Sequence, residues 1–114
     1  MIGILNYGSG NIKSISNALN EIHAKYKIVT NFKDIKKLDK IIIPGVGAYK
    51  HAVEKIKRLH FYSEIIEFSK TKPILGICLG MQILSNFGEE FDRSEGLGLI
   101  NGKVEKIDKK KNIS

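Results

Sequence analysis

Apolar and polar positions along the chain change between the two-residue period of strands and the 3.6-residue period of helices. A short apolar run at residues 2–6 stops at a glycine turn, and a helical stripe follows. The stripe consists of Ile12, Ile15, Leu19 and Ile22. This order predicts a strand, a glycine-rich turn and a helix. Residues 26–30 predict a second strand, and residues 31–39 predict a polar connection with room for a helical turn.

Two later runs are mostly apolar, at residues 41–43 and residues 73–77. Continuous apolar runs are typical of strands buried on both faces, as in parallel sheets. Between them, apolar positions at residues 52–59 predict a helix, and those at residues 61–68 a second helix or a continuation. Strands separated by helices imply crossover connections. The pattern therefore predicts an open, doubly wound, mainly parallel α/β sheet of the flavodoxin-like kind.

The last third of the chain has weaker patterns. Leu79, Ile83 and Phe87 recur at every fourth position and predict a helix after the last of these strands. The segment from residue 88 to residue 98 has the character of a loop. Residues 99–107 predict a hairpin or two short strands around an Asn-Gly pair. Since no repeat or linker interrupts the chain, we expect one domain.

The composition is that of a small globular domain. Of the 114 residues, 42% are apolar and 27% are charged, with 11 glycines and 2 prolines, which argues against disordered and collagen-like proteins. The single cysteine, Cys78, excludes an intrachain disulfide and favours a reducing cytoplasm. The first residues read as a strand rather than a signal peptide, and the longest apolar-leaning run is shorter than the roughly 18 residues of a membrane span. We expect a cytoplasmic protein that does not enter a membrane.

The net charge of +7 raises the question of nucleic-acid binding. The basic residues are scattered, with short runs at residues 33–37, 55–58 and 109–111. These runs lack interleaved aromatic residues and match no groove-reading motif. We interpret the charge as a solvated surface and expect no nucleic-acid partner.

The chemistry is expected at one edge of the sheet, because ligands of open parallel sheets bind beyond the carboxyl ends of the strands. Three unusual loops fall there, at residues 8–11, at residues 44–47 and at Cys78. Cys78 stands between Gly76 and Gly80, the pattern of a nucleophile elbow, and a helix start beside it favours the thiolate. The alternative is a small apolar residue buried at a strand end.

The loop at residues 44–47 (P-G-V-G) is either a plain turn after a strand or part of an oxyanion hole. Its two glycines let backbone N–H groups turn toward a ligand, together with the N–H of Leu79. A cysteine nucleophile also needs a base, and the chain offers His23, His51 and His60. His51 is nearest the edge, but it lies in a helix that runs away from the loop. We expect none of the three to be the catalytic base, and we expect no metal or cofactor.

Four motifs of the chain resemble those of one known family. They are Y-G-S-G-N (residues 7–11), P-G-V-G-A-Y (44–49), G-I-C-L-G-M-Q (76–82) and G-L-G-L-I (96–100). Their order and spacing are similar, over essentially the whole chain, to the glutaminase subunit of imidazole glycerol phosphate synthase, a class I glutamine amidotransferase of histidine biosynthesis. The elbow is general to class I amidotransferases, whereas the first two motifs narrow the resemblance to the histidine-pathway type.

The resemblance implies a role for each matching residue. Cys78 would attack the carboxamide of glutamine, form a glutamyl thioester and release ammonia. The oxyanion strand would be Val46 and Gly47, with the Leu79 N–H. The glutamine-binding residues would be Gly47, Gln82 and Glu90, with the carboxylate of Glu90 suited to the ammonium group of glutamine. The face toward a cyclase subunit, a (β/α)8 barrel that receives the ammonia in a heterodimer, would be Gly8, Asn11 and Ser14.

In that family the catalytic His and its Glu partner come in a later segment. Residues 1–114 therefore read as the N-terminal part of a single amidotransferase domain, and we expect them to be inactive alone. Three other interpretations stay open. The chain could belong to a paralogous amidotransferase for nucleotide-sugar amidation, to a cysteine hydrolase or redox-responsive protein of the DJ-1 type, or to a binding module without catalysis.

Overall fold

The computed structural model describes residues 1–89, 93–105 and 107. Its central element is a four-stranded parallel sheet with the strand order β2-β1-β3-β4. The strands are β1 (Ile2–Leu5), β2 (Tyr26–Val29), β3 (Lys40–Ile43) and β4 (Ile74–Gly76). Within the sheet, Ile4 of β1 pairs with Ile28 on one side and with Ile42 on the other. The predicted strands are thus confirmed as one parallel sheet.

Helices cover both faces of this sheet. The helices are α1 (Ile12–Glu21), a 3₁₀ helix (Phe32–Lys37), α2 (Tyr49–Arg58) and α3 (Phe61–Ser69). On one face, Leu19 of α1 packs with Ile4 and Ile42. On the other face, Leu5 and Ile43 join the core formed with the 3₁₀ helix, α2 and α3. Because side chains alternate along each strand, consecutive isoleucines serve opposite faces, which confirms the doubly wound α/β fold. In the part of the chain that the structure describes, no helix is long and apolar enough to cross a membrane.

Strand β4 differs from the prediction of a strand buried on both faces. It pairs with β3 at the edge of the four-stranded sheet, and Leu75 is 56% exposed. Beside it lies an apolar groove of about 240 Å³, which Leu19, Ile42 and Pro73 also line. The apolar run overestimates burial here because, among the described residues, α1 covers only part of that face.

The helix after β4 is also shorter than its periodicity predicts. It is a single turn, α4 (Leu79–Gln82), and Phe87 lies in the next strand, β5 (Ser85–Gly88). The side chain of Ser85 ends the helix, because its hydroxyl donates to the Gln82 carbonyl at 2.7 Å. The prediction of a helix through Phe87 is therefore wrong.

The last described residues form a second, smaller sheet with the order β6-β5-β7. Its other strands are β6 (Ser94–Glu95), within the segment predicted as a loop, and β7 (Ile100–Val104). The predicted hairpin around Asn101 and Gly102 is wrong, because both residues lie inside β7, which runs parallel to β5. Gly102 has a φ of +149° and its N–H donates to the side chain of Asn86, next to a shift in register. The glycine thus marks a bulge rather than a turn.

The burial of the strands predicts how two identical substitutions should differ. Ile43→Ala should lower the free energy of unfolding by about 2–5 kcal/mol, because Ile43 is 0% exposed and its loss leaves a cavity. Ile28→Ala is the matched control in the same sheet, where the side chain is 48% exposed, and should cost less than about 1 kcal/mol. Urea unfolding of both variants measures the difference. Equal losses would contradict this assignment of the core.

Candidate active site

Cys78 occupies a sharp turn between β4 and α4. Its backbone has a φ of +54° and a ψ of −119°, a conformation that non-glycine residues rarely adopt and that costs about 1–3 kcal/mol. Such strain at an exposed cysteine is the backbone geometry typical of a nucleophile elbow. The side chain is exposed, which does not fit the alternative of a small buried apolar residue.

The two glycines of the elbow are required by close backbone approach. A Cβ on Gly80 would lie 1.8 Å from the Ile43 carbonyl oxygen, and a Cβ on Gly76 would lie 2.6 Å from the Gly80 carbonyl oxygen. The helix that follows contributes less than the sequence suggests, because α4 has a single turn and a short helix carries a small dipole. The elbow is therefore defined by backbone packing more than by helix electrostatics.

Side chains of the loop after β1 form hydrogen bonds with the backbone of the loop after β3. The Tyr7 hydroxyl donates to the Pro44 carbonyl. The Ser9 hydroxyl accepts from the Val46 N–H at 3.1 Å and donates to the Val46 carbonyl at 2.8 Å. Lys55 of α2 in turn donates to the Gly8 carbonyl at 2.9 Å. The structure thus brings the two glycine-rich loops together, as the topology predicts, and fixes one against the other.

Two of the three backbone N–H groups expected to face an oxyanion already have acceptors within the protein. The Val46 N–H donates to Ser9, and the Leu79 N–H donates to the Gly45 carbonyl at 3.3 Å. Gly47 has a φ of +100°, and nothing lies within 4 Å of a Cβ built on it. Val46 itself is 63% exposed. The loop therefore lies open to solvent beside the elbow, and of the three candidate donors only the Gly47 N–H is not assigned an acceptor above.

The remaining predicted site residues have different surroundings. Gln82 is half-buried at the end of α4, whereas Glu90 lies outside the described residues. Asn11 and Ser14 are exposed, and the Asn11 side chain accepts from the Ser14 N–H at 3.1 Å as the N-cap of α1. Both residues line a groove of about 250 Å³ together with Cys78. The predicted partner face and the predicted nucleophile are thus adjacent. Gly8 is exposed on the neighbouring loop.

The three histidines are exposed at separate places. His23 follows α1, His51 lies within α2, and His60 precedes α3, where its ring meets that of Phe32 edge-on at 5.7 Å between centroids. All three side chains thus lie at the surface, and His51 lies within a helix, as the sequence predicts. Across residues 1–89, 93–105 and 107, no group of three His, Cys, Asp or Glu side chains is placed to hold a metal ion.

Two buried tyrosines lie beside the candidate site, and the sequence patterns do not indicate what their hydroxyl groups do. Tyr7 is 2% exposed, and Tyr49, the first residue of α2, is 1% exposed. Both lie in motifs that the sequence highlights, yet only their partners reveal what their hydroxyls do. Burial raises the pKa of Tyr7 to about 12, an effect that a hydrogen bond with Ser9 partly offsets.

The raised pKa of Tyr7 makes stability depend on pH in a defined window. Since the folded state favours the neutral phenol, its contribution is complete below the ordinary pKa of 10 and is lost as pH rises from 10 to about 12. The loss should reach about 3 kcal/mol. Urea unfolding of the parent and of Tyr7→Phe between pH 9 and 12 tests this, and the parent should lose stability more steeply. Parallel curves would show that Tyr7 does not carry the effect.

Comparison with known proteins adds three findings. Residues 3–113 match the model of the class-I glutamine amidotransferase family. Among relatives, the chain is 47% identical over 112 residues to the imidazole glycerol phosphate synthase subunit HisH of Sulfurimonas denitrificans, covering 97% of this chain and 54% of that protein. It is 47% identical over 108 residues to the HisH subunit of Oceanobacillus iheyensis, covering 94% and 54%. The chain spans about half the length of these curated relatives.

Two solved structures share the fold. A glutamine amidotransferase aligns with a TM-score of 0.77 at 20% identity, covering 91% of this chain and 55% of that one. A protein described as a putative peptidase E from Listeria monocytogenes aligns with a TM-score of 0.70 at 15% identity, covering 87% and 62%. Since these two proteins are described as having different activities, the fold alone does not select one.

Proposed function

The chain belongs to the class I glutamine amidotransferase family, and we propose that it serves as a glutaminase subunit of imidazole glycerol phosphate synthase, with Cys78 as the nucleophile. One observation carries the proposal: the only cysteine of the sequence stands exposed at a strained elbow, directly beside the 44–47 loop. The identity of 47% to HisH subunits favours the histidine-pathway type over a nucleotide-sugar paralogue. A free, exposed thiol suits a reducing cytoplasm, which is the compartment we propose.

The proposed reaction has two steps at Cys78. The Sγ thiolate attacks the carboxamide carbon of glutamine, and the resulting tetrahedral intermediate expels ammonia as its nitrogen takes up a proton, leaving a glutamyl thioester. Water then attacks the thioester carbon, which releases glutamate and restores the thiol. The catalytic His and Glu that the resemblance assigns to a later segment of this family would carry the protons.

The oxyanion of the intermediate would be stabilised by the backbone of the 44–47 loop. The candidate donors are the N–H groups of Val46, Gly47 and Leu79. Because Val46 and Leu79 donate to Ser9 and Gly45 in this structure, the proposal requires these N–H groups to exchange a protein acceptor for the oxyanion. The amino-acid end of glutamine would be held by Gln82, by Gly47 and by the carboxylate of Glu90.

The proposed partner is a cyclase subunit built as a (β/α)8 barrel, which would receive the ammonia. The face that would meet it contains Gly8, Asn11 and Ser14. Its support is position: Asn11 and Ser14 are exposed and line the same groove as Cys78. Ammonia released at the sulfur would therefore leave close to the partner.

Residues 1–114 tested alone should not turn over glutamine steadily. The nucleophile and the candidate oxyanion donors are present, but His51 is exposed within α2 and offers no positioned proton carrier. Loss of one member of such a group typically lowers the rate by several orders of magnitude. Ammonia release should be measured with and without the cyclase, with Cys78→Ala as the blank. Steady release above that blank by residues 1–114 would contradict this prediction, and His51 would be the first residue to substitute.

Two substitutions should weaken binding to the cyclase without loss of stability. Asn11→Asp adds a negative charge but retains the N-cap of α1, because Asp caps as well as Asn. Ser14→Glu adds a charge in the first turn of the same helix. Ser63→Glu, at an exposed position of α3 across the sheet, is the control. A pull-down with the cyclase should show reduced capture of the first two variants only. Equal capture of all three would place the interface elsewhere.

A further inference from the structure

A chain of buried hydroxyl groups connects the two halves of the proposed glutamine site. The Tyr49 and Ser85 hydroxyl oxygens lie 3.0 Å apart, and the Ser85 hydroxyl lies 2.7 Å from the Gln82 carbonyl oxygen. Tyr49 is 1% exposed and Ser85 is 8% exposed. The chain therefore runs from the first residue of α2 to the last residue of α4 through the protein interior.

The direction of these hydrogen bonds follows from the number of protons available. A carbonyl oxygen only accepts, and the Ser85 hydroxyl has two carbonyls in reach, Gln82 at 2.7 Å and Phe87 at 3.4 Å, so Ser85 donates its single proton to a carbonyl, and the shorter distance favours Gln82. Ser85 then has only lone pairs to offer, and Tyr49 must be the donor between the two hydroxyls. Burial raises the pKa of Tyr49, which keeps its phenol protonated for this role.

The Tyr49 ring packs closely against two glycines, where no side chain larger than hydrogen would fit. A Cβ on Gly88 would lie 2.6 Å from the ring, and a Cβ on Gly96 would lie 2.0 Å from the hydroxyl oxygen. Gly88 is the last residue of β5, and Gly96 directly follows β6, which packs against α2. The ring thus fills a slot that only glycine leaves open, and its hydroxyl cannot easily take another partner.

The two ends of this hydroxyl chain have functional neighbours. Tyr49 begins α2 two residues after Gly47, the end of the candidate oxyanion loop. Gln82, whose carbonyl accepts from Ser85, is the last residue of α4, and Cys78 immediately precedes that helix as its N-cap. We propose that Tyr49 and Ser85 are positioning residues for glutamine binding, which hold the backbone of Gln82 at a fixed place relative to the 44–47 loop. The inference rests on the proposed function and deepens it.

A comparison of two thiol reagents tests this proposal. A chloroketone analogue of glutamine labels Cys78 saturably and needs the glutamine-binding residues, whereas iodoacetamide is small and needs only the thiol. In the purified protein, Tyr49→Phe and Ser85→Ala should raise the half-saturating chloroketone concentration by about three- to tenfold, the effect of one lost hydrogen bond. The maximal labelling rate and the iodoacetamide rate should stay within about twofold of the parent.

Two further variants separate positioning from general stability. Tyr62→Phe removes another tyrosine hydrogen bond, 2.8 Å to the Gly96 carbonyl, which does not reach α4, and should leave the half-saturating concentration unchanged. Ser85→Thr keeps a hydroxyl at the centre of the chain and should restore binding to within about twofold.

The outcomes are distinguishable. An unchanged half-saturating concentration in Tyr49→Phe and Ser85→Ala would overturn the inference, and so would an equal fall in both labelling reactions, which indicates a structural role only. Absence of saturable labelling in the parent would overturn the proposed function, and this inference with it.

Discussion

The structure depends on one close approach between backbones. The turn after β4 lies so near the end of β3 that a Cβ on Gly80 would come within 1.8 Å of the Ile43 carbonyl oxygen. At the same close approach, a Cβ on Gly45 would lie 2.9 Å from the Gly80 N atom and 2.6 Å from the Tyr7 hydroxyl. Contact at this distance is open only to glycine. It sets Cys78 directly against the loop that follows β3, so the strain at the elbow is maintained by packing.

The parts of the fold that the sequence predicts are those with a strong local signal. The apolar residues of β1 and β3 and the stripe of α1 each determine one element, and the glycines at 76 and 80 identify the elbow without knowledge of its neighbours. Because the strands are parallel, the three loops that follow β1, β3 and β4 lie on one edge of the sheet. The structure places these three loops at that edge, as predicted.

The parts that were not predicted depend on contacts between distant residues. The end of α4 is decided by the hydroxyl of Ser85, which competes for a helix carbonyl, and periodicity carries no information about that hydrogen bond. The parallel pairing of β7 with β5 depends on a bulge at Gly102, which resembles a turn in sequence. The engagement of the Val46 N–H by Ser9 spans 37 positions. Only a folded chain shows such partners.

The exposed edge of β4 has a consequence for the behaviour of the protein in solution. Among the described residues β4 pairs on one side only, so its other side presents backbone N–H and C=O groups beside the exposed Leu75. An edge of this kind is a template for strand addition between molecules. The net charge of +7 opposes that encounter, because the molecules repel one another. At 0.1 M salt, the repulsion is largely screened beyond a distance of about 10 Å. Raising the ionic strength therefore weakens the repulsion between the lysine-rich surfaces and favours association through the uncovered edge of β4.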